Sequence, residues 1–413
     1  MTTTLDSLLD DLAAYLGTPD TACVGLPPAA YTSTDLHALE RERIFGHSWL
    51  CVGRDEYVAN PGDYYRIDVL DEPMIVARGA DGVVRALNAA CRHRNMLVVQ
   101  GRGNARSFTC PYHSWSYASD GRLLAAPHME QSRAFDKASC RLPEYRLERW
   151  MGFLFVNLND DAAPLQPVMA SMERAVANYR IAEQTEVFHY EAEWAGNWKL
   201  AAENSMEYYH HIGLHAGTVG VQMPAKGTYI PAVPATDDTF THERCRMGER
   251  FLAGQDHPMN PRGDLRGLTE EELTTGYLVY VFPAFTMAMR PGTNNWLSFR
   301  PAGPERTTVL GGYLLWKDIA RADPEVARAR AEMIEKVNAE DSLATTELAK
   351  AMRSAKAARG PLSHMEGTIA QFYKYLARTL AADRAHAAKA MRQKERRVSR
   401  VISPAKQRHP GWT

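Results

Sequence analysis

The spacing of apolar and polar positions divides the chain into segments of different character. Residues 5–16 and 34–46 are predicted to be helical from their apolar spacing. From residue 48 to about 158 the apolar runs are short and are separated by turn signals such as Asn60-Pro61-Gly62-Asp63 and Asp120-Gly121. This pattern predicts a small antiparallel β domain that ends with a strand at 152–158.

Residues 160–164, Asp-Asp-Ala-Ala-Pro, are predicted to link the β domain to a second domain. The apolar spacing of this second domain is helical in some segments and strand-like in others. Its expected elements are a helix at 167–181, a strand at 186–194, a helix from Trp198 to about His211, neighbouring strands at 277–282, 296–300 and 308–316, and long helices that start at Asp323-Pro324 and at Ser363. The predicted class is therefore α+β, with a helical segment over 1–46, the β domain over 47–158 and the second domain over 159–413.

Composition and charge narrow the possible functions. The 48 Lys and Arg against 49 Asp and Glu give a net charge of −1, which argues against nucleic-acid binding. The first sixteen residues lack the features of a signal peptide, and the longest apolar run, 277–289, is interrupted by Pro283 and is too short to span a bilayer. We therefore expect a cytoplasmic protein without membrane contact.

Six cysteines are too few for a disulfide scaffold in a chain of 413 residues. Four of them, which have no histidine at ligand spacing, are expected to be buried thiols: Cys23, Cys51, Cys140 and Cys245. The other two belong to Cys91-Arg92-His93 and Cys110-Pro111-Tyr112-His113, which are sixteen residues apart. Two such loops can bind zinc, or a [2Fe-2S] cluster with both Cys on one iron and both His on the other.

The two segments, with Arg94-Asn95 after the first and residues 114–117 after the second, resemble the Rieske iron–sulfur domain. The resemblance implies that Cys91 and Cys110 hold the buried iron and that His93 and His113 hold the outer iron. Imidazole ligands raise the reduction potential of such a cluster above that of an all-cysteine cluster.

A second cluster has two carboxylates and three histidines between Glu203 and His215. Two histidines and a carboxylate form the triad that binds Fe(II) in many oxygenases and leaves positions open for O2. In a regular helix Glu207, His211 and His215 lie on one stripe, whereas His210 sits about 100° from His211. Helical periodicity alone therefore favours His211 and His215 as ligands.

The same segment resembles the iron motif of Rieske-type ring-hydroxylating oxygenases, an acidic residue followed by histidines three and eight positions later. The resemblance implies that His210 and His215 bind iron, with His211 as the alternative ligand. A five-residue separation requires the helix to unwind, and we expect Gly213 to permit this.

Glu207, Asn204 and His211 are the expected catalytic residues beside these ligands. The resemblance makes Glu207 the bridge between His210 and the Rieske His113 of a neighbouring subunit. Most members that act on aromatic rings have Asp at this position, and Glu resembles the branch that acts on quaternary ammonium compounds such as carnitine or betaines.

The third iron ligand is expected on the helix that follows Asp323. There Glu340-Asp341 resembles the family's late acidic pair, whose second member binds iron. Asp341 is therefore the expected ligand, and Glu340 is the alternative. The Gln-x-Gly that follows in the family is replaced here around residues 350–352.

The combined resemblance implies a terminal oxygenase alpha subunit with a small antiparallel β Rieske domain and an α+β, helix-grip-like catalytic domain. One [2Fe-2S] cluster and one Fe(II) are expected per chain, with O2 and a small organic molecule as substrates. Electrons from NAD(P)H are expected to arrive through a separate ferredoxin or flavin reductase, because no G-x-G-x-x-G follows a predicted strand. A head-to-tail homotrimer is expected to bring the cluster of one subunit to the iron of the next.

The substrate is expected to be a quaternary amine or an aromatic acid. Aromatic residues and methionines near the proposed iron are candidates for the pocket wall, with sheet core as the alternative place for them: Tyr208, Tyr209, Met223, Phe282, Phe285, Met287, Met289 and Trp296. Arg290 and Arg300 are candidates for binding a substrate carboxylate.

Two other functions are compatible with the sequence. One is a Rieske electron carrier with a ligand-binding domain that holds no metal, and the other is a binding protein structured by zinc. The basic tail, which includes Arg392, Lys394, Arg396, Arg397 and Arg400, is expected to be a solvated helix end or a docking surface for an acidic electron donor.

Overall fold

A computed structural model of the protein describes residues 3–231, 239–248, 265, 267–322 and 324–402, with side chains to residue 384 except at 322. The expected cap Asp323 and the side chains of the basic tail lie outside the described residues. The strands before residue 158 are β1 (Leu50–Arg54), β2 (Asp63–Val69), β3 (Glu72–Arg78), β4 (Val84–Asn88), β5 (Arg102–Asn104), β6 (Ser107–Thr109), β7 (Ser116–Ala118), β8 (Leu123–Ala125), β9 (Glu144–Trp150) and β10 (Phe153–Asn157).

These strands form two antiparallel sheets, as the short apolar runs predict. One has the order β1-β10-β9-β4-β3-β2-β5, and the other has the order β6-β7-β8. Gly62 and Gly121 occupy two of the predicted turns with φ of 91° and 85°, a conformation that favours glycine. The Cys91 loop follows β4, and the Cys110 loop joins β6 to β7.

The rest of the chain builds a second seven-stranded antiparallel sheet in the order β11-β17-β16-β15-β14-β13-β12. Its strands are β11 (Gln184–Ala195), β12 (Thr228–Tyr229), β13 (Phe240–Arg246), β14 (Thr275–Val281), β15 (Phe285–Arg290), β16 (Thr293–Gly303) and β17 (Arg306–Trp316). The prediction that 277–282 and 296–300 are neighbours is wrong, because β15 lies between β14 and β16. A turn that contains Pro283 folds the apolar run 277–289 into a hairpin.

Helices lie before β1, between β10 and β11, and among and after the strands of this second sheet. They are α1 (Leu5–Ala14), α2 (Ala29–Thr32), α3 (Thr34–Glu40), α4 (Leu165–Val176), α5 (Trp198–Asn204), α6 (Glu270–Thr274), α7 (Lys317–Ala322), α8 (Pro324–Ala351) and α9 (Gly367–Ile402). The predicted capping box of Ser363 and Glu366 forms at the short 3₁₀ turn that leads into α9. The α+β class with antiparallel sheets and long C-terminal helices is confirmed.

The expected helix from Trp198 to about His211 is shorter than predicted. The α-helix α5 ends at Asn204, and a separate 3₁₀ turn covers Tyr209–Ile212. The chain therefore leaves helical geometry before it reaches the histidines, so the stripe argument that paired His211 with His215 does not apply.

The N-terminal segment packs against the elements that carry the second chemical cluster. Glu40 is fully buried and contacts α5, where it lies 2.5 Å from Lys199 Nζ and accepts a hydrogen bond from Trp198 Nε1 at 2.8 Å. Arg384 of α9 forms ion pairs with Asp6 and Asp10 of α1. The limits of the three segments, 1–46, 47–158 and 159–413, remain a prediction.

Apolar residues of the first sheet, the second sheet and the N-terminal helices share one large core. Phe153 of β10, for example, packs edge-on against Phe285 and Trp296 with ring centroids 5.2 Å apart in both cases. In the described part of the chain, no helix has both the length and the apolarity that crossing a membrane requires.

Candidate metal centres

The two Cys-His loops have equivalent backbones. In each loop the Cys N–H donates to a carbonyl five residues later, and the Cys carbonyl accepts from an N–H four residues later. The N···O distances are 2.9 Å for Cys91–Met96 and Asn95–Cys91, 2.8 Å for Cys110–Trp115 and 3.0 Å for Ser114–Cys110. Asn95 and Ser114 both have φ of 59°, the left-handed conformation that turns each loop back on itself.

These turns place the cysteines in the interior and the histidines at the surface. The side chains of Cys91 and Cys110 are each 1% exposed, whereas His93 and His113 lie at the surface with ring centroids 4.7 Å apart. Trp115 stacks on His93 with an interplanar angle of 8°. The pair of loops therefore offers two buried sulfur ligands and two exposed nitrogen ligands.

Tyr117 adds a contact whose role the sequence did not indicate. Its hydroxyl accepts a hydrogen bond from Arg92 N at 3.0 Å and lies 3.1 Å from Cys91 Sγ. Burial raises the pKa of the Cys91 thiol, and the Tyr117 contact opposes that rise. A hydroxyl that donates to a ligating sulfur also tunes the potential of an iron–sulfur cluster.

The donor atoms of these loops suit a two-iron cluster. Two sulfur ligands are buried and two nitrogen ligands lie at the surface, the arrangement expected when both cysteines bind one iron and both histidines bind the other.

The second site is a cluster of His210, His211 and His215. The Nδ1 atom of each ring lies at hydrogen-bond distance from an oxygen outside the cluster: Glu207 Oε1 at 2.6 Å for His210, Met223 O at 2.8 Å for His211 and Glu340 Oε2 at 2.7 Å for His215. For His210 and His211 the oxygen acceptor assigns the proton to Nδ1, so Nε2 retains the lone pair that binds a metal. His215 has a carboxylate oxygen at both ring nitrogens, because its Nε2 lies 2.9 Å from Asp341 Oδ1.

The two expected acidic candidates face opposite sides of His215. Asp341 Oδ1 lies 2.9 Å from His215 Nε2 and 3.9 Å from His210 Nε2, whereas Glu340 contacts the other ring nitrogen. Burial raises the pKa of Asp341, but the hydrogen bond and charge of His215 outweigh burial and lower it. Asn204 donates to the same Asp341 oxygen at 2.9 Å.

His211 is buried, and its burial, reinforced by the charge of His210, lowers its pKa to about 3. The ring is therefore neutral near pH 7. The structure brings His211 as close to the other two histidines as they are to each other, with ring centroids 5.0 Å from His210 and 5.2 Å from His215. It lies within reach of the same metal.

The separation of His210 and His215 does not depend on Gly213 in the expected way. Gly213 has φ of −113°, which any residue can adopt, and the helix has already ended at Asn204. Gly220 is the residue that this loop requires, because a Cβ atom there would lie 2.6 Å from the carbonyl oxygens of both His211 and His215. Its N–H donates to His215 O at 3.0 Å.

A cavity of about 80 Å³ opens beside the histidines and is lined by residues of α5, β14, β15, β16, α8 and the ligand loop. Of the expected wall residues, Tyr208 and Met223 line it. Phe285, Met287, Met289 and Trp296 belong to the sheet core, Phe282 stacks on Tyr375, and Tyr209 is exposed. Arg290 lines the cavity and Arg300 does not.

Glu243 is a buried carboxylate near this site that sequence reasoning missed. Its Oε1 accepts a hydrogen bond from Tyr208 N at 2.7 Å. Burial, and then the charge of Glu207, raises its pKa to about 9, so it is largely protonated near pH 7. The sequence offered little signal, because Glu243 lies in the polar run Thr241-His242-Glu243-Arg244, whose burial only the structure reveals.

Two family models match successive parts of the chain. A Rieske [2Fe-2S] domain matches residues 48–146, which include both Cys-His loops. The catalytic domain of the ring hydroxylating alpha subunit matches residues 181–382, which include the histidine cluster and Asp341.

Two similar proteins are oxygenase subunits of monooxygenases. The oxygenase subunit of carnitine monooxygenase from Acinetobacter baumannii is 32% identical over 206 residues, which are 49% of this chain and about half, 55%, of the relative's length. The oxygenase subunit of glycine betaine monooxygenase from Chromohalobacter salexigens is 28% identical over 344 residues, 73% of this chain and 74% of the relative.

The fold is also that of a solved oxygenase. Naphthalene 1,2-dioxygenase from Rhodococcus sp. superposes with a TM-score of 0.74 at 20% identity, and the superposition covers 92% of this chain and 99% of that one. The two donor sets suit the two metal centres of these proteins, a [2Fe-2S] cluster and a mononuclear iron. The chain belongs to the family of Rieske-type ring-hydroxylating oxygenase alpha subunits.

Proposed function

We propose that the chain is the terminal oxygenase of a Rieske-type system, which takes electrons from a separate NAD(P)H-dependent reductase and hydroxylates a small organic molecule with O2. Oxidative demethylation at nitrogen or oxygen follows from the same chemistry when the attacked carbon bears a heteroatom. The observation that carries the proposal is the convergence of histidine Nε2 atoms and Asp341 on the wall of a cavity, in the chain that also holds the Cys-His loops.

In this proposal Cys91, Cys110, His93 and His113 hold the [2Fe-2S] cluster. His210, His215 and Asp341 hold the mononuclear iron. When bound, the cluster supplies single electrons and the iron supplies the centre at which O2 is reduced. Either oxygenation consumes O2, two electrons and two protons. Monooxygenation yields hydroxylated product and water, whereas dioxygenation places both oxygen atoms in the product.

The chain's own residues orient these ligands. Glu207 and Glu340 form hydrogen bonds with Nδ1 of His210 and Nδ1 of His215, respectively. These contacts fix the orientation of the rings and make each imidazole a better metal ligand. Asn204 donates to Asp341 and so restrains the carboxylate. His211, held by the Met223 carbonyl, is a further positioning residue and the alternative iron ligand.

A head-to-tail trimer belongs to the proposal, with His113 of one subunit approaching Glu207 of the next. Exposed apolar side chains beside both sites support it. Tyr112, next to His113, is 53% exposed, and Ile212, next to His211, is 74% exposed. Large apolar side chains at the surface are typical of contact regions.

Iron counting on the anaerobically purified protein tests the proposal. We expect about three irons and about two labile sulfides per chain, and O2 uptake that depends on reductase and on an organic substrate. About two irons, with electron transfer but no O2 uptake, would instead identify an electron carrier.

Two substitutions separate the centres. Cys110→Ala is expected to remove the cluster and its visible absorption, whereas His210→Ala is expected to leave that absorption intact and to remove the mononuclear iron and the product. His211→Ala serves as the matched control for the ligand choice. Retained iron and turnover in His210→Ala, with loss of both in His211→Ala, would overturn the assignment.

A further inference from the structure

We infer that Arg290 binds a substrate carboxylate, so that the cavity takes a small carboxylic acid whose remaining body is uncharged and apolar. The inference rests on the proposed function and specifies the substrate class of that site. Arg290 lies at the end of β15, lines the cavity together with His210 and Asp341, and is 2% exposed.

Among the described residues, no carboxylate forms an ion pair with the guanidinium of Arg290. Its Nη2 donates to Asn295 Oδ1 at 3.3 Å, and its Nε is buried without a hydrogen-bond partner. Within the described residues, no carboxylate oxygen lies within 4 Å of Arg290, although most other buried or half-buried arginines of the chain have such a contact, as Arg54 has with Glu56.

A buried cation without a counter-charge is costly, and the cost falls when a ligand supplies the anion. The planar guanidinium matches a carboxylate with two parallel hydrogen bonds, a geometry that a point charge such as ammonium does not offer. An acid group is therefore the ligand that best completes this end of the cavity.

The rest of the lining selects an uncharged body. Its apolar part is mainly aliphatic and includes Leu278, Leu297, Ile334 and Val337. Apart from the histidines, Tyr208 is the single aromatic ring among the described lining residues, whereas a cage for a trimethylammonium group uses several aromatic faces.

The cavity has room for an organic molecule. Its volume of about 80 Å³ exceeds the roughly 10–15 Å³ that one water needs, so it admits a molecule of several non-hydrogen atoms. An aliphatic or single-ring monocarboxylate is such a molecule.

Calorimetric titration of the iron-loaded protein with matched probes tests the inference. The probes are butyrate, hexanoate, benzoate and phenylacetate, each compared with its primary amide, together with glycine betaine and carnitine. We expect at least one acid to bind about 10- to 100-fold more tightly than its amide. We expect Arg290→Gln to bring that ratio close to one, and Arg290→Lys to restore part of it.

The exposed Arg306→Gln on β17 of the same sheet is the control and should leave the acid-to-amide ratio unchanged. A ratio that persists in Arg290→Gln, or the absence of any preference for acids, would overturn the role of Arg290. Tighter binding of glycine betaine or carnitine than of every uncharged-body acid would overturn the assigned substrate class.

A failure of the proposed function and a failure of the role of Arg290 give different results in binding and in O2 uptake. If the protein is not an oxygenase, O2 uptake stays absent with every probe while the calorimetric preference for acids is unaffected. If Arg290 has no such role, substrate-dependent O2 uptake with another molecule remains possible while the acid preference is missing from the binding data.

Discussion

At the scale of single residues, the candidate iron site is defined by the oxygen atom that contacts Nδ1 of each histidine. The acceptors come from three different places: Glu207 in the ligand loop, the Met223 carbonyl and Glu340 on α8. Each contact is made by Nδ1, so a metal would bind at Nε2. The sequence pattern of three nearby histidines contains no information about this orientation.

The adjacent acids Glu340 and Asp341 provide the first residue-scale prediction. Asp341→Ala is expected to abolish retention of the mononuclear iron, because it removes a ligand on the Nε2 side of His215. Glu340→Gln is expected to weaken iron binding by about 10- to 100-fold, because it alters only the support of the ligand. Iron retained after dialysis against a graded chelator measures both.

The Rieske absorption of the same samples is the internal control, since neither substitution touches the Cys-His loops. A greater loss of iron in Glu340→Gln than in Asp341→Ala would show that the ligand is Glu340. Thr218, whose hydroxyl donates to Glu340 at 2.7 Å, would then be a supporting residue of the iron site.

Cys91, His93, Cys110 and His113 could be selected from sequence because each Cys-His pair is local and the residue types are rare. Asp341 could be selected only through resemblance, since charged residues are common on a long helix. Arg290 could not be separated from Arg300, because both lie in strand-forming runs and only the sheet register decides which side chain faces the cavity.

At the scale of elements, the ligand loop shows where periodicity fails. The segment 198–211 has the composition of one helix, but α5 ends at Asn204 and the carboxylate of Glu207 then accepts the His210 N–H at 3.0 Å. A side chain that satisfies backbone groups in this way competes with helical hydrogen bonding. The prediction that the strands 277–282 and 296–300 are neighbours failed for a related reason, because the apolar run 277–289 contains a hairpin turn that apolar spacing does not reveal.

Gly220 gives the element-scale prediction. Gly220→Ala places a methyl group about 2.6 Å from two backbone carbonyl oxygens, and backbone cannot move aside as a flexible side chain would. We expect loss of most of the mononuclear iron with the Rieske cluster retained, measured as iron per chain against the visible absorption.

Gly213→Ala and Gly217→Ala are the matched controls in the same loop, because a Cβ atom at either position meets no atom within 4 Å. Both controls are expected to retain iron. Equal iron loss in all three variants would mean that the loop needs glycine for reasons other than the close approach at Gly220.

At the scale of the whole molecule, the two seven-stranded sheets share one apolar core, whereas Cys91 and Cys110 pack in a smaller apolar cluster with Trp115. Four of the exposed apolar side chains lie beside the two centres, Met96 and Tyr112 near the Cys-His loops and Tyr209 and Ile212 near the histidine cluster. A head-to-tail ring would cover one set with the other and join a cluster to an iron in the next subunit.

Mixing two inactive variants tests this arrangement. Cys110→Ala keeps the iron and lacks the cluster, whereas His210→Ala keeps the cluster and lacks the iron. If electrons cross between subunits, a trimer that contains both variants has a productive junction wherever an intact cluster meets an intact iron. For random mixing in equal amounts, such junctions are about one in four over all trimers, whereas a trimer that contains both variants has one productive junction in three. About 25% of wild-type turnover is therefore expected in the unfractionated mixture and about one third in the isolated mixed trimers.

Co-expression with two different affinity tags isolates the mixed trimers, and separately purified variants mixed without subunit exchange are the control. Electron transfer within one subunit predicts no activity in any mixture, because no single chain then holds both centres. Recovered turnover in the doubly purified fraction, and its absence in the control, would therefore establish transfer between subunits, while a silent mixed trimer would remove the role of Glu207 as a bridge between neighbours.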